Sequence, residues 1–436
     1  MAGIEVIAIG FGLMLVLMML GLHIATALFL TAATGAWWYY GGTMFRPFGT
    51  MMWGTLNNFL LVAIPLYVLM GEILMRGGVT ERMYVALADW LRRLPGGLLH
   101  TNIAASTLFA SISGSSVATA ATIGTVAFPA FRKQSYSEPW VLGTVASGAT
   151  LGILIPPSIN MIIYGALTNT SIGQLFIAGV VPGALLALLF MGLIVIASVL
   201  DPTIAGKDGT VEDAAWRAAR RRRLKDLLPP IGIFTVVMGS IYAGWATPTE
   251  AAAVGVVASL GLVGAYGRLS LGLLREAALT TVRVTAMTLL ILIAAFYLNF
   301  VVGLLGIPAK VSTAIAAVDV APWQMILLLV VLYVFLGCFL DSLAMMIATI
   351  PIVFPVVTGI GYDPLWFGVF LVVMCEIALI TPPVGMNLYV VQGVRGRGSV
   401  STVVRGTLPF VGCVFLLILL ITFIPGIVTW LPASLY

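Results

Sequence analysis

The residues best placed to do chemistry are a serine cluster, a lone aspartate and two proline pairs. Ser113-Gly114-Ser115-Ser116 crowds three hydroxyls around a glycine, and Asp341-Ser342 puts a carboxylate and a hydroxyl at the equivalent depth of a second segment. Pro156-Pro157 and Pro382-Pro383 each interrupt an apolar stretch. A proline inside a helix removes a backbone hydrogen bond and clashes with the preceding turn, so two in succession unwind it. In hydrocarbon the freed carbonyls persist only against protein or a polar cavity. Hydroxyl, carboxylate and carbonyl oxygens are the ligands that hard cations take. Half-helix C-termini favour a cation and half-helix N-termini an anion. The chemistry these residues suit is therefore non-covalent: holding Na⁺ beside a carboxylate.

The plainer explanation for the serines is close helix packing, which also enriches Ser, Thr, Gly and Ala. The recurrence of a Pro-Pro break favours the ion-binding explanation. Few ionisable groups lie in apolar segments: His23, Glu72, Glu250, Asp341 and Glu376. Charges there are costly and usually functional. Asp341 is the best candidate cation ligand, and Glu376, a turn before the second break, supports that loop or its ion. Glu250 follows Pro248 and Thr249 at a helix start and reads as a cap. Glu72 lies near a helix end, and His23 reads as structural. Asn160 and Asn387 follow the two breaks and either satisfy freed backbone groups or meet substrate. Gly385 permits close approach of backbone to a ligand.

The elements that must position these residues are membrane helices. The 436-residue chain is 61% hydrophobic and only 8% charged. A bilayer crossing needs about 20 apolar residues, so the chain can cross many times. Residues 2–20 lack a basic leader and a cleavage site and read as a retained helix. Cys338, Cys375 and Cys413 have no metal-type spacing and read as packing residues.

A shift of 226 residues superposes the two halves almost without gaps. It pairs Ser116 with Ser342, Phe128-Pro129 with Phe354-Pro355, Trp140 with Trp366, and one Pro-Pro step with the other. The predicted fold is an all-α integral membrane protein made of an inverted structural repeat, 1–200 and 228–436, joined by a cytoplasmic linker, 201–227. Spans are expected near 2–20, 23–41, 58–76, 138–168 and 173–200, then near 229–247, 249–266, 285–306, 364–392 and 407–430. Segments 97–131 and 323–357 are expected to be re-entrant hairpins. Each arm of about 15 residues reaches only about 22 Å, against a hydrocarbon thickness of about 30 Å. Segments 44–57 and 268–284 look amphipathic and are expected to lie along the interface as connecting arms.

Charge supports this topology. Five crossings per half is an odd number, so the halves must be inverted. With the N-terminus outside, 19 of the 21 Lys and Arg residues fall on the cytoplasmic side, among them Lys133, Lys207 and Arg220-Arg221-Arg222-Arg223, and only Arg46 and Lys310 face out. The positive-inside rule asks for such a bias. Both termini are then predicted periplasmic. The net charge of +5 reflects topology, with membrane lipid as the neighbour of the basic linker, and does not argue for nucleic acid.

No GxxxxGK[ST] loop is present, so ion gradients must drive any transport. A respiratory ion-translocating subunit would carry intramembrane chains of Lys, Glu and His, and an intramembrane hydrolase would place a base beside a serine. The sequence offers neither, and no enzyme activity is expected.

The Ser113-Gly114-Ser115-Ser116 tip, Gly152-Ile153-Leu154-Ile155-Pro156-Pro157-Ser158, Ala246-Thr247-Pro248-Thr249-Glu250-Ala251-Ala252 and Thr381-Pro382-Pro383-Val384-Gly385-Met386-Asn387 together resemble the large membrane subunit, DctM type, of tripartite ATP-independent periplasmic (TRAP) transporters. The resemblance covers essentially the whole chain. It implies a bacterial inner-membrane importer of organic anions such as C4-dicarboxylates, sialic acid or 2-oxo acids, coupled to two or more Na⁺. It implies two partners, a small four-helix membrane subunit of DctQ type and a periplasmic substrate-binding protein of DctP type. It also implies an elevator fold similar to sodium–dicarboxylate symporters. By the same resemblance, the sodium ligands map onto Ser113, Gly114, Ser116, Pro156 and Ser158, and onto Gly337, Asp341, Ser342, Thr381 and Gly385. Candidate substrate contacts are Ser115, Ser116, Pro157, Asn160, Pro383 and Asn387. A stand-alone sodium–carboxylate symporter shares these features and is the alternative.

Overall fold

The computed structural model describes residues 2–132, 134–206, 214–316 and 321–435. Lys133, Lys207 and residues 207–213 of the linker lie outside that set. The first half contains α1 (Ala2–Met19), α2 (Ile24–Tyr40), α3 (Arg46–Leu56), α4 (Ala63–Arg76), α5 (Val79–Leu91), α6 (Leu98–Ser113), α7 (Ser116–Phe131), α8 (Glu138–Leu154), α9 (Ile159–Thr168) and α10 (Ile172–Leu200). After α11 (Ala214–Arg223), the second half runs α12 (Leu228–Tyr242), α13 (Pro248–Ala265), α14 (Leu271–Leu304), α15 (Ile307–Ala316), α16 (Pro322–Gly337), α17 (Ser342–Gly359), α18 (Pro364–Ile380), α19 (Met386–Arg395), α20 (Val400–Phe423) and α21 (Gly426–Leu435). Among the described residues, eight helical segments are long and apolar enough to cross a bilayer.

The order of elements repeats, and so does their packing. α7 of the first half lies against α19 of the second, and α9 lies against α17. α2 packs on α14 while α4 packs on α13, and α8 and α18 meet each other at the centre. Each contact has a reciprocal partner, the pattern of an isologous two-fold relation between the halves.

Both 97–131 and 323–357 fold as helical pairs. α6 and α7 have 16 residues each, so each reaches about 24 Å. The arms of the second pair are tied across by Tyr333 Oη donating to Thr349 Oγ1 at 2.9 Å, eight residues to either side of Asp341. Its second arm, α17, has 18 residues and also meets the length and composition of a span. Two prolines inside it, Pro351 and Pro355, weaken its backbone ladder.

One expected arm is not a separate element. Residues 268–284 were expected to form an interfacial connector, but α14 runs as one continuous helix of 34 residues through that stretch and the following span. In the first half α3 and α4 are separated. Asn58 caps a 3-10 turn, its Oδ1 accepting from Leu60 N at 3.0 Å. The equivalent positions in the second half are Arg283 and Val284, which offer no such backbone competitor, so the helix continues.

The two broken helices form the heart of the molecule. The apolar core of Glu138–Thr168 is wholly buried, as is α18 from Trp366 to Ile380. Trp366 stacks on Phe370 with ring centroids 5.3 Å apart and donates its indole N–H to Ile421 O at 2.8 Å. α8 crosses α20 where Gly143 meets Gly406, and a side chain at either position would collide with the other backbone. Small residues permit that approach.

Candidate functional site

The first hairpin tip and the first break touch directly. Gly114 ends α6 in the left-handed region (φ +60°), and a Cβ there would lie 2.6 Å from Pro157 O. Only glycine meets both demands. Ser115 caps α7, its Oγ accepting from Ala118 N at 3.4 Å, while its carbonyl accepts from Thr119 Oγ1 at 2.7 Å. Ser113 Oγ lies 3.1 Å from Thr119 Oγ1. Across the gap, Ile159 N donates to Gly114 O at 3.5 Å.

The break itself is repaired locally. Ser158 Oγ donates to Ile153 O at 2.5 Å and accepts from Met161 N at 3.3 Å. One hydroxyl thus covers a carbonyl freed at the end of α8 and a donor freed at the start of α9. Pro156, Pro157 and Ser158 are all buried. Asn160 is buried too, and its amide nitrogen has no partner among the described residues.

The second site is built differently. Asp341 caps α17, its Oδ1 accepting from Ala344 N at 2.9 Å. His23, the N-cap of α2, is near enough to Asp341 to interact electrostatically. Gly337 closes α16 against α18, where a Cβ would lie 2.7 Å from that of Ala378. Ser342 O accepts from Cys375 Sγ at 3.4 Å. This hairpin meets α18 ahead of its break, as the first meets α8 at Gly152, but the first also touches the break itself at Pro157. Thr381 is extended, and Gly385, at φ +26°, would place a Cβ 2.9 Å from Thr381 O. Pro382 and Pro383 are exposed, and Pro383 O accepts from Tyr389 Oη at 2.9 Å.

Four oxygens near this break are buried without a partner among the described residues: Thr381 Oγ1, Asn387 Oδ1 and both carboxylate oxygens of Glu376. Buried polar atoms are normally hydrogen-bonded. A group of lone oxygens with few donors suits a hard cation.

A link between the halves was not foreseen from the sequence. Asn387 Nδ2 donates to Ser116 Oγ at 2.7 Å and to Ala146 O at 3.1 Å. It ties the start of α19 to the start of α7 and to the middle of α8. Both residues had been singled out, yet nothing in the linear pattern joins positions 271 residues apart. Of the remaining ionisable groups, Glu250 completes a capping box with Thr247. Glu72 pairs with Arg76 at 2.9 Å, and Arg76 also pairs with Glu276.

The chain matches the family model described as "Tripartite ATP-independent periplasmic transporter, DctM component" over residues 11–427. It belongs to the DctM family. Among characterised DctM-family and related permeases, the C4-dicarboxylate TRAP transporter large permease protein DctM of Pseudomonas aeruginosa is 34% identical over 388 residues, 89% of each chain. The sialic acid TRAP transporter large permease protein SiaM of Vibrio cholerae is 34% identical over 87% of this chain and 88% of its own. The ectoine/5-hydroxyectoine TRAP transporter large permease protein UehC of Ruegeria pomeroyi is 32% identical over 80% of this chain and 81% of its own. The structure of the Alcanivorax borkumensis YdaH transporter superposes with a TM-score of 0.63 at 18% identity, covering 92% of this chain and 97% of that one. That likeness concerns the fold alone. A DctM-family chain is a multi-pass membrane permease subunit, and its relatives are transporters rather than enzymes.

Proposed function

We propose that this DctM-family chain is the large membrane subunit of a Na⁺-driven importer of organic anions. The observation that carries the reading is the pair of helical hairpins packed on two broken helices, related by reciprocal contacts between the halves. Hydroxyl and carbonyl oxygens gather at the first tip and its break, and four buried oxygens near the second break have no partner among the described residues. Sodium would be held by Ser113, Gly114, Ser116, Pro156 and Ser158 at the first site and by Gly337, Asp341, Ser342, Thr381 and Gly385 at the second. The anion would lie between the tips, near Ser115, Ser116, Pro157, Asn160, Pro383 and Asn387. One positive charge moving inward gains about 2.3 kcal/mol per 100 mV, so excess Na⁺ can drive an anion against its own gradient.

Residues 1–200 and 228–436 would be inverted repeats about the 201–227 linker, with both termini periplasmic and the arginine-rich ends cytoplasmic. Hairpins and broken helices would move as an elevator against the other spans. A periplasmic binding protein would deliver the substrate, and a small membrane subunit would complete the scaffold. The relatives' names support a second subunit. The isethionate permease of Oleidesulfovibrio alaskensis is named DctMQ, and this chain spans 58% of it.

The test is uptake by proteoliposomes holding this chain and its small subunit, with and without the binding protein, across a sodium series. Uptake requiring both sodium and the binding protein is expected. Sodium-driven uptake without any binding protein would instead identify a free-standing symporter, and uptake indifferent to sodium would overturn the coupling.

A further inference from the structure

A cavity of about 250 Å³ opens at the foot of the first hairpin, away from both breaks, and none of the site residues above lines it. Phe128, Phe131, Val141 and Leu142 form its floor, while Arg132, Arg395 and Arg397 converge on it with Glu138 as the one acid. Arginines that only set topology need no more than to reach water on one side. Arg395 does something else. Its side chain is 8% exposed, and it is held by Glu138 at 2.9 Å, Gln392 Oε1 at 3.3 Å and Ser399 O at 3.3 Å. Glu138 is shared, because Arg397 also reaches it at 3.6 Å. Three guanidiniums against one carboxylate leave the described lining with two positive charges in excess. The N-terminus of α8 adds its positive dipole end, and Ser137 gives it no side-chain cap. Gln134, on the same wall, has a buried amide oxygen with no partner among the described residues, so its amide can turn to meet a ligand.

We infer that this cavity binds a small oxyanion of the carboxylate or phosphate class. The anion takes up Arg132 and Arg397 and competes with Glu138 for the guanidinium forks. Planar guanidinium is suited to donating paired hydrogen bonds to such oxygens. The location gives binding a mechanical meaning. α7 and α19 lie side by side, with Gly124 against Val394. Their first turns meet at the Ser116–Asn387 bond, while Arg132 caps the C-terminal end of α7 and Arg395 ends α19. An anion bridging Arg132 to Arg397 fastens the far end of the helix that begins at the second break.

Binding is measured directly, so the result is independent of sodium coupling. The purified two-subunit permease in uncharged detergent is titrated by calorimetry with inorganic phosphate and with succinate, at ionic strength matched with chloride. A parallel arm compares nanodiscs with and without phosphatidylglycerol, reading thermal stability. Saturable binding is expected in the wild type, weakened about tenfold in Arg132→Gln and in Arg397→Gln, the loss of one charge-assisted contact. Both arginines are exposed, and a size-exclusion profile checks that the variants fold. Glu138→Gln is expected to tighten binding by removing the internal competitor. Arginine-dependent stabilisation by phosphatidylglycerol alone assigns the same site to a lipid headgroup. No saturable binding in either arm, or wild-type affinity in both arginine variants, overturns the proposal.

Discussion

The two hairpin–break pairs share one arrangement of elements, yet only the first is sealed. At the first, the prolines are buried, Ser158 satisfies the frayed backbone, and the Gly114 turn rests on Pro157. At the second, the prolines are exposed, Gly385 replaces a capping side chain, and buried oxygens lack partners among the described residues. The side chains differ to match. Ser115 and Asp341 occupy the same place 226 residues apart, and each caps the second arm of its hairpin. One cap is a hydroxyl and the other an ionisable carboxyl. The first site is thus built by shape and backbone, the second by a carboxyl and oxygens without a partner among the described residues. A two-fold fold supplies two similar frames, and substitution within them gives each a separate task.

The sharpest way to break this contrast is to add one methyl group to each tip. In Gly114→Ala the new carbon meets a carbonyl held by the broken helix and also forces a left-handed residue. Displacing reacting groups by about 1 Å can cost about 100-fold in rate, and uptake in proteoliposomes should fall by that order. Gly337→Ala meets the methyl of Ala378 at an ordinary backbone angle, so a smaller loss is expected. Equal losses would mean that the second tip is as tightly sealed as the first.

Next in size is the bridge between halves. Asn387→Ala leaves Ser116 Oγ without its donor, and stranding a buried polar group costs about 1–3 kcal/mol. The melting temperature of the purified protein should fall. Asn160→Ala removes an amide nitrogen that bonds nothing among the described residues and should leave the melting temperature close to wild type. A reversed ranking would place the structural tie in the first half.

Much of this architecture was legible in the sequence because it rests on local rules. Pro-Pro steps must break helices, a glycine- or aspartate-marked tip must turn a helical pair back on itself, and Trp140 and Trp366 mark the offset. Glu250 read correctly as a cap because Thr-Pro-Thr-Glu is a local signature. Two things were not legible. The fusion of the expected arm into α14 turned on Asn57-Asn58 against Arg283-Val284, a difference of helix stop signals that the shared amphipathic pattern conceals. The Ser116–Asn387 bond and the Glu138–Arg395 pair join residues far apart in the chain, and only tertiary packing decides them. The linear pattern names candidates, but which of them meet is decided by packing alone.

The smallest expected effect tests the charge itself. Asp341→Asn keeps the cap on α17, since asparagine accepts from a helix N–H about as well as aspartate, and the fold should survive with little change in melting temperature. What it removes is the capacity for negative charge at a tip beside His23, with buried oxygens on the following break. If that charge attracts Na⁺, the sodium concentration giving half-maximal uptake should rise about tenfold, near the ~1.4 kcal/mol that separates a charged from a neutral acceptor. Ser115→Ala in the other half does the reverse. It sacrifices a cap worth about 1 kcal/mol and no charge, so stability should drop while the sodium midpoint moves less. The pair of variants separates holding a helix from attracting an ion, two roles that a capping aspartate combines and a capping serine does not. Should Asp341→Asn leave the sodium curve unmoved while Ser115→Ala shifts it, the hydroxyl-lined first tip would be the dominant cation site and the charge at the second would serve its helix alone.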